Sequence, residues 1–131
     1  MNEIIIGAKP ENLEMVQGFI NEQLGACPPK IKNQINLAVD EIFSNISRYA
    51  YCHDNGTVTI RIAVEKDITI EFEDSGVAYD PLSAEEPDIT LSAEERSIGG
   101  LGIFMVKKIM DSMDYRREDN KNILTIKKTI A

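Results

Sequence analysis

The sequence predicts an α+β fold, a two-layer sandwich in which helices cover one face of a sheet. Apolar and polar residues alternate over 57–64 and 68–72, which indicates two strands, and apolar residues recur at helical spacing in two segments before them. The predicted order is strand, helix, helix, two strands, long loop, helix, two strands. Strands that cluster apart from helices favour this sandwich over a doubly wound parallel sheet. A length of 131 residues fits one domain, so we expect residues 1–131 to fold as a single unit.

The N-terminal half is predicted to contain a short strand and two helices. Residues 2–6 form the strand, and the first helix has Pro10 in its first turn and ends at Gly25. Its apolar residues recur at helical spacing: Leu13, Val16, Ile20 and Leu24. The second helix begins at Pro28-Pro29 and extends to about Tyr51. One broad arc of this helix is apolar, and we expect it to pack on the sheet: Ile31, Ile35, Ala38, Val39, Ile42, Phe43, Ile46, Tyr49 and Ala50.

The C-terminal half is predicted as a hairpin, a long loop, a helix and a final hairpin. A tight turn at 65–67 joins the two alternating strands. Residues 75–98 are acidic, contain two prolines and show no sustained period, which is typical of a functional or a disordered loop. A helix follows the glycines at 99–102, with one apolar face: Ile103, Val106, Met110 and Met113. Residues 114–119 and 122–130 alternate weakly and predict the last two strands.

The charge distribution excludes a general nucleic-acid binder. The net charge is −8, and residues 65–95 contain eleven Asp and Glu against one basic residue. This acidic segment is either a solvated loop or a surface that meets a basic partner. No apolar run is long enough for a secretory signal or a membrane span. Cys27 and Cys52 lack metal-ligand spacing, so we expect a cytoplasmic chain that has no structural zinc and does not contact the membrane.

A carboxylate and an amide lie one turn apart on the second helix. Glu41 and Asn45 are at positions i and i+4, so their side chains project together from the margin of the apolar arc. They are either a boundary pair that water and backbone groups satisfy, or a pair of functional groups at the rim of the core.

Asp74 interrupts the second alternating strand. It has the same parity as Ile68, Ile70 and Phe72, so its side chain should point to the core face, where an unpaired carboxylate is costly. A donor is therefore required, and the exocyclic amine of a purine is one candidate. The alternative is that Asp74-Ser75-Gly76 is a turn that ends the strand.

Glycines precede the third helix. The run Gly-Gly-Leu-Gly at 99–102 allows a ligand to approach the backbone closely, and the helix start offers free N–H groups that suit a phosphate. It is not a Walker loop, because no Lys-Ser/Thr follows, and it is not a dinucleotide fingerprint, because it follows a long loop. A glycine hinge is the alternative interpretation.

Together these features resemble the nucleotide-binding domain of the histidine-kinase-like (GHKL) ATPases, and within it the anti-sigma-factor serine kinases of bacteria. The most specific stretches are Leu-Ala-Val-Asp-Glu-Ile-Phe-Ser-Asn at 37–45, Asp-Ser-Gly-Val-Ala-Tyr-Asp-Pro at 74–81 and Gly-Gly-Leu-Gly-Ile-Phe at 99–104. The likeness spans nearly the whole chain. It implies the Bergerat (GHKL) ATP-binding fold, with a mixed, mainly antiparallel sheet. A sensor histidine kinase fits less well, because it would need a helical domain with a phospho-accepting histidine and the sequence has only His53.

The resemblance implies a role for each matching residue. Asn45 would bind the Mg²⁺ that bridges the ATP phosphates, and Glu41 would be the general base. Asp74 would accept a hydrogen bond from the adenine amine, and Gly76 would let the ring approach. Backbone N–H groups for the phosphates would come from the glycine run: Gly99, Gly100, Leu101 and Gly102.

Further assignments concern the loop and the adenine pocket. Residues 81–98 would be the ATP lid, and Arg96, its only basic residue, would reach the terminal phosphate. Ala78 stands in the nucleotide site where the family pattern has its second glycine. Several relatives carry a threonine on the last strand that helps to hold adenine. The nearest equivalents here are Asn122 and Ile123, so this contact is not transferred.

The resemblance implies a serine/threonine protein kinase that uses ATP and Mg²⁺. It would phosphorylate a serine of a small anti-sigma-antagonist (STAS-type) protein and bind a sigma factor. Relatives form homodimers, and an apolar face on residues 2–20 is compatible with that state. The alternative is a nucleotide-gated protein-binding module without kinase activity, because ATP binding needs no productive base. A scaffold without a ligand is the third interpretation.

Overall fold

The computed structural model describes residues 1–51, 56–78, 80–83 and 100–130. Its elements in chain order are β1 (Asn2–Gly7), a 3₁₀ turn (Pro10–Asn12), α1 (Leu13–Leu24), α2 (Pro29–Tyr49), β2 (Thr57–Val64), β3 (Asp67–Asp74), a second 3₁₀ turn (Pro81–Ser83), α3 (Gly100–Ile109), β4 (Ser112–Glu118) and β5 (Lys121–Thr129).

The five strands form one sheet in the order β1-β2-β3-β5-β4. Each neighbouring pair is antiparallel, so the sheet is antiparallel at all of its described pairings rather than mixed. The predicted α+β fold class is confirmed. In the centre of the sheet, Asp74 at the end of β3 lies between Val58 of β2 and Asn122 of β5.

The core lies between the helices and one face of the sheet. The alternation predicted for β2 and β3 is observed, with every second residue buried from 58 to 62 and from 68 to 74. These apolar side chains form one cluster with the buried residues of all three helices. Within the described residues, no helix combines the length and the apolar character that a membrane crossing needs.

The opposite face of the sheet is polar and joined by ion pairs. Arg61 of β2 lies 3.0 Å from Glu3 of β1, 3.5 Å from Glu71 and 3.4 Å from Glu73 of β3. One guanidinium therefore links three strands, and the helices cover only the apolar face. This arrangement is the predicted two-layer sandwich.

The helix α3 is shorter than the sequence predicted. The pattern placed Met110 and Met113 on its apolar face, but the helix ends at Ile109 and Met113 belongs to β4. Met113 still packs against the core. The side chain of Lys128 caps the end of this helix, because its Nζ donates to the carbonyl oxygen of Ile109 at 2.8 Å and so satisfies a terminal acceptor.

Candidate functional site

A cleft lies between the C-terminal half of α2, the end of β3 and the start of β5. Its wall is mostly apolar and carries a few polar groups, which is typical of a site for a small organic ligand. The lining residues are Ile42, Asn45, Ile46, Tyr49, Ala50, Phe72, Asp74, Val77, Pro81, Ile103, Tyr115, Asn122 and Leu124.

Asn45 is buried in this cleft rather than placed at a solvated rim. Its exposed fraction is 7%, and within the described residues no donor reaches its buried Oδ1. A buried acceptor without a partner costs about 1–3 kcal/mol. The amide oxygen is therefore an unused ligand atom in the wall of the cleft.

Asp74 forms the turn that the sequence offered as one of its two interpretations. It is 6% exposed, and its Oδ1 accepts hydrogen bonds from the backbone N–H of Gly76 at 2.9 Å and from Nδ2 of Asn122 at 3.0 Å. The first bond is the predicted turn. Both bonds end on Oδ1, and among the described residues no group donates to Oδ2. The carboxylate thus forms the turn with one oxygen and can offer the other to the cleft.

Close packing requires a glycine at position 76, for a steric reason that the sequence did not reveal. A Cβ at this position would lie 2.0 Å from the carbonyl oxygen of Ala50, the residue that ends α2. The same carbonyl accepts the N–H of Val77 at 2.9 Å. Gly76 therefore lets the chain after β3 pack directly on the end of α2, and this contact closes one end of the cleft.

Asn122 is a site residue that sequence reasoning did not assign. It is 6% exposed, lines the cleft, and donates from Nδ2 to Asp74 and to the carbonyl oxygen of Val77 at 2.8 Å. Two signals were available: its parity, because it shares the core-facing side of β5 with Leu124 and Ile126, and its position as a nearest equivalent of the family's threonine. Only the pairing of β3 with β5 shows that Asp74 is its partner.

Glu41 belongs to α2, one turn before Asn45, and its carboxylate lies against the start of α3. A Cβ at Gly102 would lie 2.0 Å from Oε2 of Glu41. The absence of a side chain at Gly102 is what admits the carboxylate here. The structure thus brings Glu41 of α2 next to the glycine run. Glu41 and Gly102 are 61 residues apart in the chain.

The site extends along α2 from the base of the cleft to the start of α3. From Ala50 to Glu41 the helix rises by about 13 Å at about 1.5 Å per residue. Asp74 and Gly76 lie near the Ala50 end, and the N-terminus of α3 lies near the Glu41 end. Asn45 lies between them. This order fits an elongated ligand with a ring at one end and anionic groups at the other, because a helix N-terminus favours negative charge.

Several predicted site residues are placed differently or are not described. Ala78 is exposed and does not line the cleft. Gly100 and Leu101 lie in the first turn of α3, where the backbone N–H groups have no partner within the helix. Gly99, Arg96 and residues 84–98 of the predicted lid lie outside the described residues.

The donor set fits a magnesium ion. Mg²⁺ takes oxygen ligands and commonly uses one or two protein groups together with phosphates and waters. The orphaned Oδ1 of Asn45 is such an oxygen. Asn45 would therefore be able to hold the ion beside phosphate oxygens, and the ion would neutralise phosphate charge when bound.

Comparison with known proteins gives relatives across most of the chain. The model of the histidine kinase-like ATPase domain matches residues 6–128. The serine/threonine-protein kinase BtrW of Bordetella bronchiseptica is 27% identical over 100 residues, which cover 74% of this chain and 70% of that protein. The anti-sigma F factor of Clostridium perfringens is 27% identical over 125 residues, which cover 92% of this chain and 89% of that factor.

A solved structure supports the fold. The Erythrobacter litoralis EL346 blue-light activated histidine kinase matches with a TM-score of 0.62 at 16% identity, over 92% of this chain and 41% of that kinase. The present chain therefore corresponds to less than half of that protein, and the likeness shows the fold alone. The predicted resemblance to anti-sigma-factor serine kinases is confirmed by the two sequence relatives. With the family model matched over residues 6–128, the chain belongs to the histidine kinase-like ATPase domain family.

Proposed function

We propose that this chain is an ATP-dependent serine/threonine protein kinase of the anti-sigma type, acting in the cytoplasm. The observation that supports this most is that Asp74 and Asn45 line one cleft, while Glu41, one helical turn before Asn45, lies against Gly102 at the start of α3. The names of two relatives, a serine/threonine-protein kinase and an anti-sigma F factor, point to the same activity.

In the proposed reaction the adenine amine donates to Asp74, and the phosphates extend along α2 towards the N–H groups of Gly100, Leu101 and Gly102. Asn45 would hold Mg²⁺, which would neutralise phosphate charge. A serine hydroxyl of the partner attacks the γ-phosphorus while the bond from that phosphorus to the bridging oxygen breaks. Glu41 takes the hydroxyl proton, and ADP leaves with the bridging oxygen.

The proposal includes a lid over the cleft. Residues 81–98 would close the nucleotide site of a single domain at 1–131, with Arg96 on the terminal phosphate. The first turn of this segment supports the assignment, because Pro81 lines the cleft. Lys107 of α3 donates to the carbonyl oxygen of Leu82 at 3.2 Å, which ties the start of the segment to the helix that begins at the phosphate end.

The proposed partners are proteins. The phosphate acceptor would be a serine on a STAS-type anti-sigma antagonist, and a sigma factor would be held in one nucleotide state, with a homodimer as the assembly. The second candidate function is a nucleotide-gated binding module. It would use the same cleft, since base and phosphate binding do not need Glu41 as a base.

The substitution Glu41→Gln separates the two functions. It keeps the size of the side chain and removes its basicity, and a positioned base contributes about 10²- to 10⁴-fold to proton transfer. We expect the variant to keep its Mg-ATP dissociation constant within about threefold and to lose at least about 100-fold in the single-turnover rate of antagonist phosphorylation.

Asp40→Asn is the matched control. Asp40 is the neighbouring acid on α2, and its Oδ1 accepts a hydrogen bond from Nε2 of Gln17 at 2.8 Å, away from the cleft. This variant should transfer phosphate at the wild-type rate. An undiminished rate in Glu41→Gln would remove Glu41 as the base. Mg-ATP binding by the wild type without transfer to any antagonist from the same genome would favour the binding module.

A further inference from the structure

Asp74 is held by a hydrogen-bond chain that runs outward to β4. Asn122 accepts at Oδ1 from the hydroxyl of Tyr115 at 2.5 Å and from Nη1 of Arg117 at 3.1 Å. Its Nδ2 donates to Asp74 and to Val77. The amide therefore has two donors on its oxygen side and two acceptors on its nitrogen side.

This pattern fixes the orientation of the amide. If the amide of Asn122 were flipped, its NH₂ group would face the Tyr115 hydroxyl and the Arg117 guanidinium, and its oxygen would face the Asp74 carboxylate. Each of those contacts would be unfavourable or lost. Asn122 can thus only donate towards Asp74, and the partners on β4 enforce this direction.

Arg117 also ties this chain to the turn after β3. Its Nη1 donates to the carbonyl oxygen of Gly76 at 2.9 Å, while the N–H of Gly76 donates to Oδ1 of Asp74. The carboxylate oxygen Oδ1 is consequently saturated from two sides, by Asn122 and by Gly76. A partial rotation of the carboxylate would break both bonds, and a half-turn only exchanges two equivalent oxygens, so one oxygen is always held and the other is left without a donor from the described residues.

We infer that Asn122, oriented by Tyr115 and Arg117, is a positioning and specificity-determining residue for the base of the bound nucleotide. It rests on the proposed function, in which Asp74 receives the base. A carboxylate oxygen held at one position accepts a hydrogen bond from a 6-amino group. The same oxygen forms no hydrogen bond with a purine that carries only hydrogen at C6, and it repels the oxygen of a 6-oxo purine. Asn122 acts through Asp74 and does not itself need to touch the ligand.

The test compares ATP with purine riboside triphosphate, which lacks the 6-amino group and is otherwise the same. A hydrogen bond to a charged group corresponds to about a 10- to 100-fold preference, so wild-type protein should bind ATP more tightly by that factor. Asn122→Ala leaves only the Gly76 N–H on Oδ1 and should reduce the preference by about 5- to 10-fold. Its affinity for purine riboside triphosphate should change by no more than about threefold.

Two further variants make the result independent of folding defects. Tyr115→Phe keeps the ring that lines the cleft and removes one donor to Asn122, so the preference should fall by about 2- to 10-fold. This variant decides the test if Asn122→Ala does not fold. Thr125→Val is the matched control, because Thr125 lies on β5 with the opposite parity and pairs with Glu71, so the preference should not change.

The outcomes are distinct. A full ATP preference that survives in both Asn122→Ala and Tyr115→Phe, or an equal loss of affinity for both nucleotides, would overturn the positioning role and leave the adenine site intact. A wild-type protein that binds both nucleotides equally would instead overturn the proposed placement of the base on Asp74.

Discussion

At the scale of single residues, the site contains polar atoms that receive no hydrogen bond from the described residues. The amide oxygen of Asn45 is buried without a donor, and the Oδ2 atom of Asp74 receives no hydrogen bond among the described residues. The third buried polar residue of the described chain is Asn122, which lines the same cleft. In the part of the chain that the structure describes, Gln34 Oε1 and Asn36 Oδ1 are also buried without a partner, but only Asn45 among these three residues lines the cleft, where a ligand could satisfy its oxygen.

The glycines differ in what they contribute. Gly76 excludes a side chain because the Ala50 carbonyl lies where Cβ would be, and Gly102 excludes one because Glu41 does. At Gly76 the obstacle is backbone, whereas at Gly102 it is the movable end of a side chain. A Cβ placed on Gly18 in α1 would have open space around it, with no atom of the described residues within 4 Å apart from its chain neighbours and its own helix backbone.

A pair of alanine substitutions tests this difference. Gly76→Ala should lower the free energy of unfolding by about 2 kcal/mol or more, because the backbone must move. Gly18→Ala, in the exposed interior of a helix, should raise it by about 0.5–1 kcal/mol. Urea denaturation of both variants measures these changes. Two shifts of the same sign would contradict the assigned role of Gly76.

At the scale of secondary-structure elements, the strands and helices followed from periodicity, but their contacts did not. The alternation over 57–64 and the helical period of 29–49 predicted β2 and α2 closely. The pairing of β3 with β5 and the packing of Gly102 on Glu41 depend on long-range contacts, which local patterns do not encode. For this reason Asn122 and the steric role of Gly76 were missed. The end of α3 was missed because the capping group, Lys128, comes from another element.

The connection between α3 and β4 is fixed to β5 by Asp111. Its Oδ2 accepts the N–H of Thr129 at 2.5 Å, and its Oδ1 lies 3.9 Å from Nζ of Lys128. The hydrogen bond from the Thr129 backbone lowers the pKa of Asp111, and Lys128 acts in the same direction. The charged form is therefore favoured in the folded protein.

This pKa shift predicts a pH dependence. Because the folded pKa is below the unfolded value of about 3.9, Asp111 stabilises the fold above that pH, and the contribution is lost as the pH falls through the folded pKa. Asp111→Asn should therefore be less stable than wild type at pH 7 and equally stable at the acid end. Urea unfolding at several pH values measures the difference. The control is Asp114→Asn, because Asp114 is an exposed acid on β4. A loss of unfolding free energy in Asp111→Asn that does not change with pH would contradict the assignment.

At the scale of the whole molecule, the cleft connects the two layers of the sandwich. Its wall combines residues of α2 and α3 with residues of β3, β4 and β5. A ligand that contacts all of these elements binds the folded chain and not the unfolded one. Its binding free energy then adds to the stability of the fold as a unit.

The last prediction uses this linkage to test the nucleotide site in the intact chain. At 100 times its dissociation constant, Mg-ATP should stabilise the fold by about 2.7 kcal/mol, which for a chain of this length corresponds to about a 10 °C rise in Tm. Mg-GTP at the same concentration should give a much smaller rise, because its base carries a 6-oxo group where Asp74 needs a donor. Asn45→Leu removes the orphaned Oδ1 and keeps the volume, so the ligand-free Tm should stay within about 3 °C of wild type while the rise with Mg-ATP is lost. Differential scanning calorimetry of both proteins measures these values. A full Mg-ATP rise in Asn45→Leu would remove Asn45 from the site, and equal rises with the two nucleotides would remove Asp74 as the reader of the base.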